Sequence, residues 1–248
     1  MEKSFKKILA APMLIAVLLL ALLALASCKR NDDNNGEEFL PSDVTGDVVD
    51  RTEEGSYRFR VVTDRMTGNA GTLDYIMQYP VFEGDGFEIP SAYIEGAASG
   101  FLKKIGSNLK SSANETTEMN ASLDIAVKEF GKEYLSLLIT TTENMGGSHE
   151  DVGQTGAVFY LPTGKRLCIG DIADPDLAAD CFISEIEKSD KADMLFEGYR
   201  STVDDLVKEE GAWYLENNTI TLICPPYLIA PYAAGWFMPV YNLETAQT

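Results

Sequence analysis

Residues 123–140 of the chain are LDIAVKEFGKEYLSLLIT, and this stretch decides the fold class. Apolar and β-branched residues fill both ends of the stretch, and Gly131 and Lys132 interrupt them in the middle. Two such runs joined by a short polar segment with a glycine are typical of a β-hairpin. The stretch therefore predicts two neighbouring antiparallel strands, residues 123–130 and 134–140.

Short strands and turns continue on the C-terminal side of this hairpin. Turn-forming residues at 162–165 and at 216–218 each separate two apolar runs, which predicts two further hairpins. A last strand is predicted over residues 236–241.

Two strands are predicted on the N-terminal side. The first has alternating apolar and polar residues, which indicates a half-buried strand with these inward positions: Tyr57, Phe59, Val61 and Thr63. The second covers residues 73–79, and Pro80 is expected to end it.

Helices are predicted between these strands. After Pro90, Ser91 can cap a helix whose apolar residues recur at helical spacing: Ile94, Ala98, Phe101, Ile105 and Leu109. Glycines within it are expected to permit close approach to a sheet. Residues 175–188 and 192–210 predict two more helices.

Hairpins with helices inserted between them predict the α+β class. We expect antiparallel sheets with helices packed on one face, arranged as two small fused modules. The modules are predicted over residues 56–146 and 147–248.

The composition excludes several classes of function. The chain has 248 residues with 20 basic and 39 acidic side chains, a formal net charge of -19. Such an acidic protein repels phosphate backbones, which argues against a nucleic-acid partner. One histidine and four cysteines without a CxxC pair exclude multi-histidine metal sites and zinc ribbons.

Residues 1–28 have the organisation of a targeting segment. Three lysines lie near the start, residues 8–26 are apolar, and Leu-Ala-Ser-Cys closes the segment at residues 25–28. This ending resembles the lipobox of bacterial lipoprotein precursors, which implies cleavage before a lipid-bearing Cys28. We predict a signal peptide over residues 1–27 and an extracytoplasmic location on the cell membrane. An uncleaved signal anchor is the alternative.

Residues 28–55 are predicted to be a disordered, acidic tether, because they offer little apolar surface to bury. Beyond Cys28 the chain contains Cys168, Cys181 and Cys224, all among apolar neighbours. A Cys168–Cys181 disulfide is one interpretation, and free buried thiols are the favoured one.

Four segments in a fixed order carry a family resemblance: residues 79–82, 134–149, 163–172 and 226–240. They include Tyr-Pro-Val-Phe, Gly-Gly-Ser-His and Pro-Tyr-Leu-Ile-Ala-Pro-Tyr-Ala-Ala-Gly. In this order they resemble the paired extracytoplasmic modules of RsiV-like proteins. The same pair precedes the catalytic domain of PdaC-type peptidoglycan deacetylases.

The resemblance implies a binding module. In RsiV-like anti-sigma factors the outer domain is a receptor for lysozyme, and a cytoplasmic segment binds a sigma factor. Here only residues 1–7 precede the apolar run, and they are too few to fold on a sigma factor. We also expect no deacetylase domain, because the sequence that follows the module pair stops at Thr248. We therefore expect the outer module alone, displayed on a lipid anchor.

Five residues are candidates for ligand binding. His149 follows Gly146 and Gly147 and lies beside carboxylates, as a pH-sensitive contact or general base would. A structural turn, in which the glycines supply positive φ, is the favoured alternative. Exposed, Tyr227 and Tyr232 would anchor a glycan or a protein. Aliphatic residues interleaved with them favour burial in the core instead.

The sequence contains no GxSxG, HExxH, P-loop or GxGxxG pattern. We therefore predict a non-catalytic binding protein without cofactor or metal. Its expected partners are the membrane, through the lipid, and a cationic lysozyme-type protein. The alternatives are a lipoprotein that binds cell-wall peptidoglycan, a wall-glycan hydrolase using His149 or a carboxylate pair, and a structural lipoprotein without soluble ligand.

Overall fold

The computed structural model describes residues 48–51, 55–68, 71–111, 119–146 and 149–244. The predicted signal peptide, Cys28 and Gly147 lie outside the described residues. Within the described ranges no helix has both the length and the apolar character needed to cross a membrane.

A seven-stranded sheet forms the centre of the molecule and follows the chain order. The predicted central hairpin is confirmed: strands Met119–Phe130 and Tyr134–Asn144 pair from Asn120–Asn144 to Phe130–Leu135. The strands are β1 (Val48–Arg51), β2 (Gly55–Gly68), β3 (Gly71–Gly84), β4 (Met119–Phe130), β5 (Tyr134–Asn144), β6 (Asp151–Tyr160) and β7 (Lys165–Arg166).

One pair in this sheet departs from the predicted antiparallel arrangement. Strands β3 and β4 are parallel, and the 24-residue helix α1 (Glu88–Ser111) connects them. A crossover helix of this length returns the chain to the same end of the sheet, which a tight turn cannot do. All other neighbours in the sheet are antiparallel, so the α+β class is confirmed.

The C-terminal part contributes a smaller antiparallel sheet and two helices. The elements are α2 (Pro175–Lys188), α3 (Tyr199–Leu206), β8 (Trp213–Glu216), β9 (Thr219–Leu222) and β10 (Val240–Asn242). The sheet has the order β10–β9–β8, and Asn217 and Asn218 form the turn between β8 and β9 with φ of 50° and 57°.

Helix α1 confirms the predicted apolar face. All five of its predicted core residues are between 0 and 4% exposed: Ile94, Ala98, Phe101, Ile105 and Leu109. The helix begins at Glu88, earlier than predicted, because Pro90 is accommodated in the first turn, where its missing N–H has no helical partner. The expected role of the glycines is wrong for Gly96 and Gly100, since a Cβ at either position would meet nothing within 4 Å.

These two exposed glycines predict stabilising substitutions. We expect Gly96→Ala and Gly100→Ala each to raise the free energy of unfolding by up to about 1 kcal/mol, because alanine restricts the unfolded chain and meets no obstacle. Urea unfolding followed by circular dichroism measures the change. Gly86→Ala is the control: Gly86 has φ of +88°, so alanine there should destabilise. Unchanged or lower stability of both helix variants would contradict the prediction.

Three N-terminal predictions need correction. Strand β1 lies inside the predicted tether and pairs with β2 in antiparallel register, from Val48–Arg58 to Arg51–Ser56. Strand β3 continues through Pro80 to Gly84. It pairs with β4 only as far as Gln78, so beyond this residue the β4 side of β3 has no strand partner among the described residues, and the N–H that Pro80 lacks is not needed there. In the middle of β2 the inward positions are Val62 and Met66, and Val61 is 45% exposed.

Three C-terminal elements are shorter than predicted. The predicted helix over residues 192–210 is reduced to a 3-10 turn and α3, because Gly198 takes a left-handed conformation with φ of +91° before α3. The last strand contains only Val240–Asn242. The hairpin after β6 closes with the two-residue β7. Helix α2 has the predicted bounds, with Asp174 accepting two backbone hydrogen bonds as its N-cap.

Strand β6 contributes to two hydrophobic cores. Ala157 and Phe159 belong to the core shared with α1, and Val158 belongs to the core formed with α2, α3 and the small sheet. This division follows from the alternation of side chains along a strand. The predicted module boundary at residue 146 falls in the β5–β6 hairpin, whose strands are paired within one sheet.

The small sheet lies directly against one face of the large sheet. The backbone N–H of Gly156 donates to the Gly211 carbonyl at 2.9 Å, and the buried Ser136 hydroxyl accepts from the Leu215 N–H at 2.9 Å. These hydrogen bonds hold β8 against β5 and β6. They therefore also position the connection between β9 and β10, which begins and ends on the small sheet.

Candidate functional site

The connection between β9 and β10 contains Tyr227 and Tyr232, two of the candidate binding residues. We call residues 225–239 the aromatic loop. Its base is closed by Cys224 and Phe237, whose backbones exchange two hydrogen bonds of 3.0 Å. Beside them the Leu222 N–H donates to the Pro239 carbonyl at 3.0 Å. The loop therefore begins and ends on the small sheet.

Small and aliphatic residues fix the middle of the aromatic loop. Ile229, Ala230 and Ala234 are between 0 and 2% exposed and belong to the C-terminal core. The N–H of Phe196 donates to the Ile229 carbonyl at 2.9 Å. A loop held at its base and at three buried positions presents its remaining side chains in a fixed arrangement.

The side chains it presents are tyrosines. Tyr227 and Tyr232 are each 51% exposed, and their ring centroids are 5.7 Å apart. The His149 ring lies 6.2 Å from the ring of Tyr232. The predicted burial of the two tyrosines is wrong, because the aliphatic residues between them occupy the core and turn the rings outward. Three of the predicted site residues thus form one surface, which we call the Tyr-His surface.

Tyr227 has an unusual backbone conformation. Its φ is +68°, and its N–H donates to the Ala230 carbonyl at 2.9 Å. A left-handed conformation costs a residue with a side chain about 1–2 kcal/mol, a cost that glycine avoids. Strain of this kind concentrates at binding sites. The conformation therefore supports a role for the exposed ring.

The other residues near His149 in sequence are structural. Gly146 has φ of +82°, and its N–H donates to the Asn144 side chain at 3.1 Å, which confirms the predicted turn. Glu143 is 5% exposed and pairs with Lys104 of α1 at 2.5 Å. Among the described residues no hydrogen bond or ion pair joins His149 to a carboxylate.

Sequence reasoning missed a groove beside the aromatic loop. It has a volume of about 230 Å³ and lies against the C-terminal end of α2. Its acidic residues, Glu185 and Asp190, look in the sequence like an ordinary solvated helix face. Only the presence of Trp236 in the same groove distinguishes them. Among the described residues, the groove included, no three metal-ligating side chains are grouped as a metal site requires.

The three described cysteines are free thiols, as favoured from the sequence, and the alternative Cys168–Cys181 disulfide is not formed. Cys224 is buried at the base of the aromatic loop, and Cys168 and Cys181 are half-buried. Burial raises the pKa of the Cys224 thiol from its ordinary value of 9.0 to about 12.

The buried thiol predicts selective alkylation. With iodoacetamide at about pH 8, we expect modification at Cys181, slower modification at Cys168 and none at Cys224, because the thiolate is the nucleophile and a raised pKa lowers its amount. Burial, together with Glu210 and Asp171, raises the pKa of the Cys168 thiol as well, and burial raises that of Cys224 furthest. In denaturing urea Cys224 should react as well. Peptide mass spectrometry of the full chain measures each site. Labelling of Cys224 in the folded protein at the rate of Cys181 would contradict the prediction.

The fold defines a class: a mixed α+β module with a large, mostly antiparallel sheet, one crossover helix and a small second sheet. No protein-family model and no curated protein matches the chain. Among solved structures it is similar to a DUF3298-family protein of Bacteroides fragilis, with 18% identity, a TM-score of 0.53 and coverage of 79% of this chain and 94% of that one. A DUF3298-family protein of Pseudomonas aeruginosa has 14% identity and a TM-score of 0.46, with coverage of 76% and 92%. The likeness to the Bacteroides protein shows a shared fold.

Proposed function

We propose that this chain is a non-catalytic, extracytoplasmic binding module that binds a cationic protein of the lysozyme type through the Tyr-His surface. The observation that carries the proposal is the pair of half-exposed tyrosines on a firmly anchored loop. Tyrosine is enriched at binding hot spots, because its ring buries a large area with little loss of side-chain freedom.

Two further features support a basic partner. The net charge of -19 attracts cationic proteins over long range and raises the association rate. The resemblance of residues 79–82, 134–149, 163–172 and 226–240 to RsiV-like modules supports a receptor or inhibitor. The fold shared with a DUF3298-family structure is compatible with such a module.

Titration with lysozyme tests this function. We expect binding that weakens as salt rises from about 0.1 M to 1 M, since the Debye length falls from about 10 Å to about 3 Å. Tyr227→Ala and Tyr232→Ala should each weaken binding by about tenfold or more, the loss typical of a hot-spot aromatic. Leu177→Ala, at an apolar side chain of α2 that is 43% exposed, is the control and should leave affinity unchanged.

The same titration with soluble peptidoglycan fragments tests the second candidate. Exposed aromatic rings also stack on sugar rings, so the Tyr-His surface fits a wall glycan as well. Salt-insensitive glycan binding that Tyr232→Ala removes would replace the lysozyme proposal. Release of glycan products that stops in His149→Ala would instead indicate a hydrolase. Absence of binding to either ligand would leave a structural lipoprotein.

The lipid anchor has its own test. We propose that Cys28 carries the lipid, on the basis of residues 25–28 and their basic, apolar lead-in. Metabolic labelling with a palmitate analogue should mark the full chain, and Cys28→Ala should abolish the label. Equal labelling of the variant would refute the anchor and leave the binding proposal untouched.

A further inference from the structure

The groove beside the aromatic loop has a negatively charged wall. Glu185 and Asp190 are exposed, and they flank the C-terminal end of α2, where the helix dipole adds partial negative charge. One Glu185 oxygen accepts from the Val240 N–H at 2.7 Å, which fixes the carboxylate in place. Its other oxygen has no partner among the described residues. This wall favours a cation.

The aromatic loop contributes a second, aromatic wall to the groove. It includes the half-buried Trp236 and the buried Phe237. The ammonium of Lys191 already lies 5.6 Å from the Phe237 ring centroid, and no described carboxylate pairs with this ammonium. The protein thus holds one of its own cations against this wall. Aromatic rings facing carboxylates are the arrangement that recognises an ammonium or guanidinium group.

The size of the groove limits its occupant. Its volume of about 230 Å³ lies below the roughly 300–1,000 Å³ of pockets that enclose a drug-sized ligand. A single long side chain fits this space, and a helix or a folded segment does not. Trp236 lines the groove and belongs to the aromatic loop, which also carries Tyr227 and Tyr232.

From these observations we propose that the groove binds one arginine or lysine side chain of the basic partner. Glu185 and Asp190 pair with the charged group, and Trp236 stacks on it. This inference rests on the proposed function, since it names how the same partner is selected. Lys191 competes for the aromatic wall and lowers affinity.

Tryptophan fluorescence gives a direct readout. The chain has two tryptophans, and Trp213 is fully buried, so the signal accessible to small solutes comes from Trp236. The probe is N-acetyl-arginine amide, and its neutral isostere N-acetyl-citrulline amide is the matched control. We expect a saturable change with the arginine probe at low salt and at least about fivefold weaker binding of the citrulline probe, as for loss of an ion pair worth about 1 kcal/mol.

Charge variants test each wall residue. Glu185→Gln keeps an oxygen for the Val240 N–H and removes the charge, and we expect it and Asp190→Asn each to weaken arginine binding by about threefold or more. Asp180→Asn, which removes the same charge elsewhere on α2, should have no effect. Lys191→Gln should strengthen binding by up to about fivefold.

The outcomes separate this proposal from the proposed function. Equal binding of the arginine and citrulline probes, or no change in Trp236 emission with either, overturns the groove proposal. The groove proposal is also overturned if Tyr232→Ala abolishes lysozyme binding while Glu185→Gln and Asp190→Asn both leave it unchanged. In that case the proposed function stands. Charge-dependent binding of the arginine probe without any lysozyme binding supports the groove and refutes the lysozyme-type partner.

Discussion

Replacing Gly156 by alanine should destabilise the protein by more than about 3 kcal/mol or prevent the C-terminal half from folding. A Cβ at this position would lie 1.6 Å from the Trp213 carbonyl oxygen and 2.4 Å from its carbonyl carbon. Both atoms belong to the backbone of β8, which is paired with β9, so no side-chain rotation can relieve the overlap. Strand β6 would have to move away from β8 and lose the hydrogen bond from Gly156 to Gly211.

Gly153 provides a matched control on the same strand. A Cβ there would lie 2.9 Å from the Thr141 hydroxyl oxygen, an atom at the end of a side chain that can rotate. We expect Gly153→Ala to change stability by less than about 1 kcal/mol. Urea unfolding followed by circular dichroism compares the two variants. A wild-type midpoint for Gly156→Ala would show that the two sheets do not approach each other as described.

Trp213→Ala should cost about 3–5 kcal/mol of stability and weaken ligand binding as well. Trp213 is among the largest fully buried side chains, and its removal leaves a cavity in the C-terminal core. It pairs with Leu222 in the small sheet, and the Leu222 N–H bonds Pro239 at the base of the aromatic loop. A cavity here would therefore loosen the support of Tyr227 and Tyr232.

Trp213→Phe separates packing from hydrogen bonding. The indole N–H of Trp213 has no hydrogen-bond partner among the described residues, so phenylalanine removes volume without breaking a bond. We expect a loss of about 1–2 kcal/mol, clearly less than for alanine. Trp236→Phe, at the half-buried tryptophan of the groove, should leave stability nearly unchanged. Equal unfolding midpoints for Trp213→Ala and Trp236→Phe would contradict the prediction.

Locally encoded features were predictable from the sequence. The apolar face of α1, the bounds of α2 and the β4–β5 and β8–β9 hairpins agree with the prediction, because spacing, caps and turn residues act over a few positions. One prediction failed where a distant strand decides: Pro80 lies inside β3 because β4 no longer pairs with β3 there. Another failed because Gly198 takes a left-handed conformation directly before α3 and so interrupts the helix predicted over residues 192–210.

The candidate site was likewise only partly predictable from the sequence. The sequence pointed to His149, Tyr227 and Tyr232 by residue type and by their place in the resembling segments. It favoured burial of the tyrosines, and it gave no reason to connect Glu185 with Trp236. Exposure and proximity depend on the packing of the C-terminal core, which turns the rings outward and sets α2 against the aromatic loop.

The sequence by itself determined the element types, the α+β class and an acidic net charge, since these follow from local periodicity and composition. The tertiary structure alone decided the parallel β3–β4 pair, the two cores on opposite faces of β6 and the meeting of His149 with Tyr232. The physical reason is that the solvent exposure of a side chain depends on the residues that pack around it, and these are often remote in sequence. An aromatic ring becomes part of the core or stays at the surface according to which other side chains fill the core.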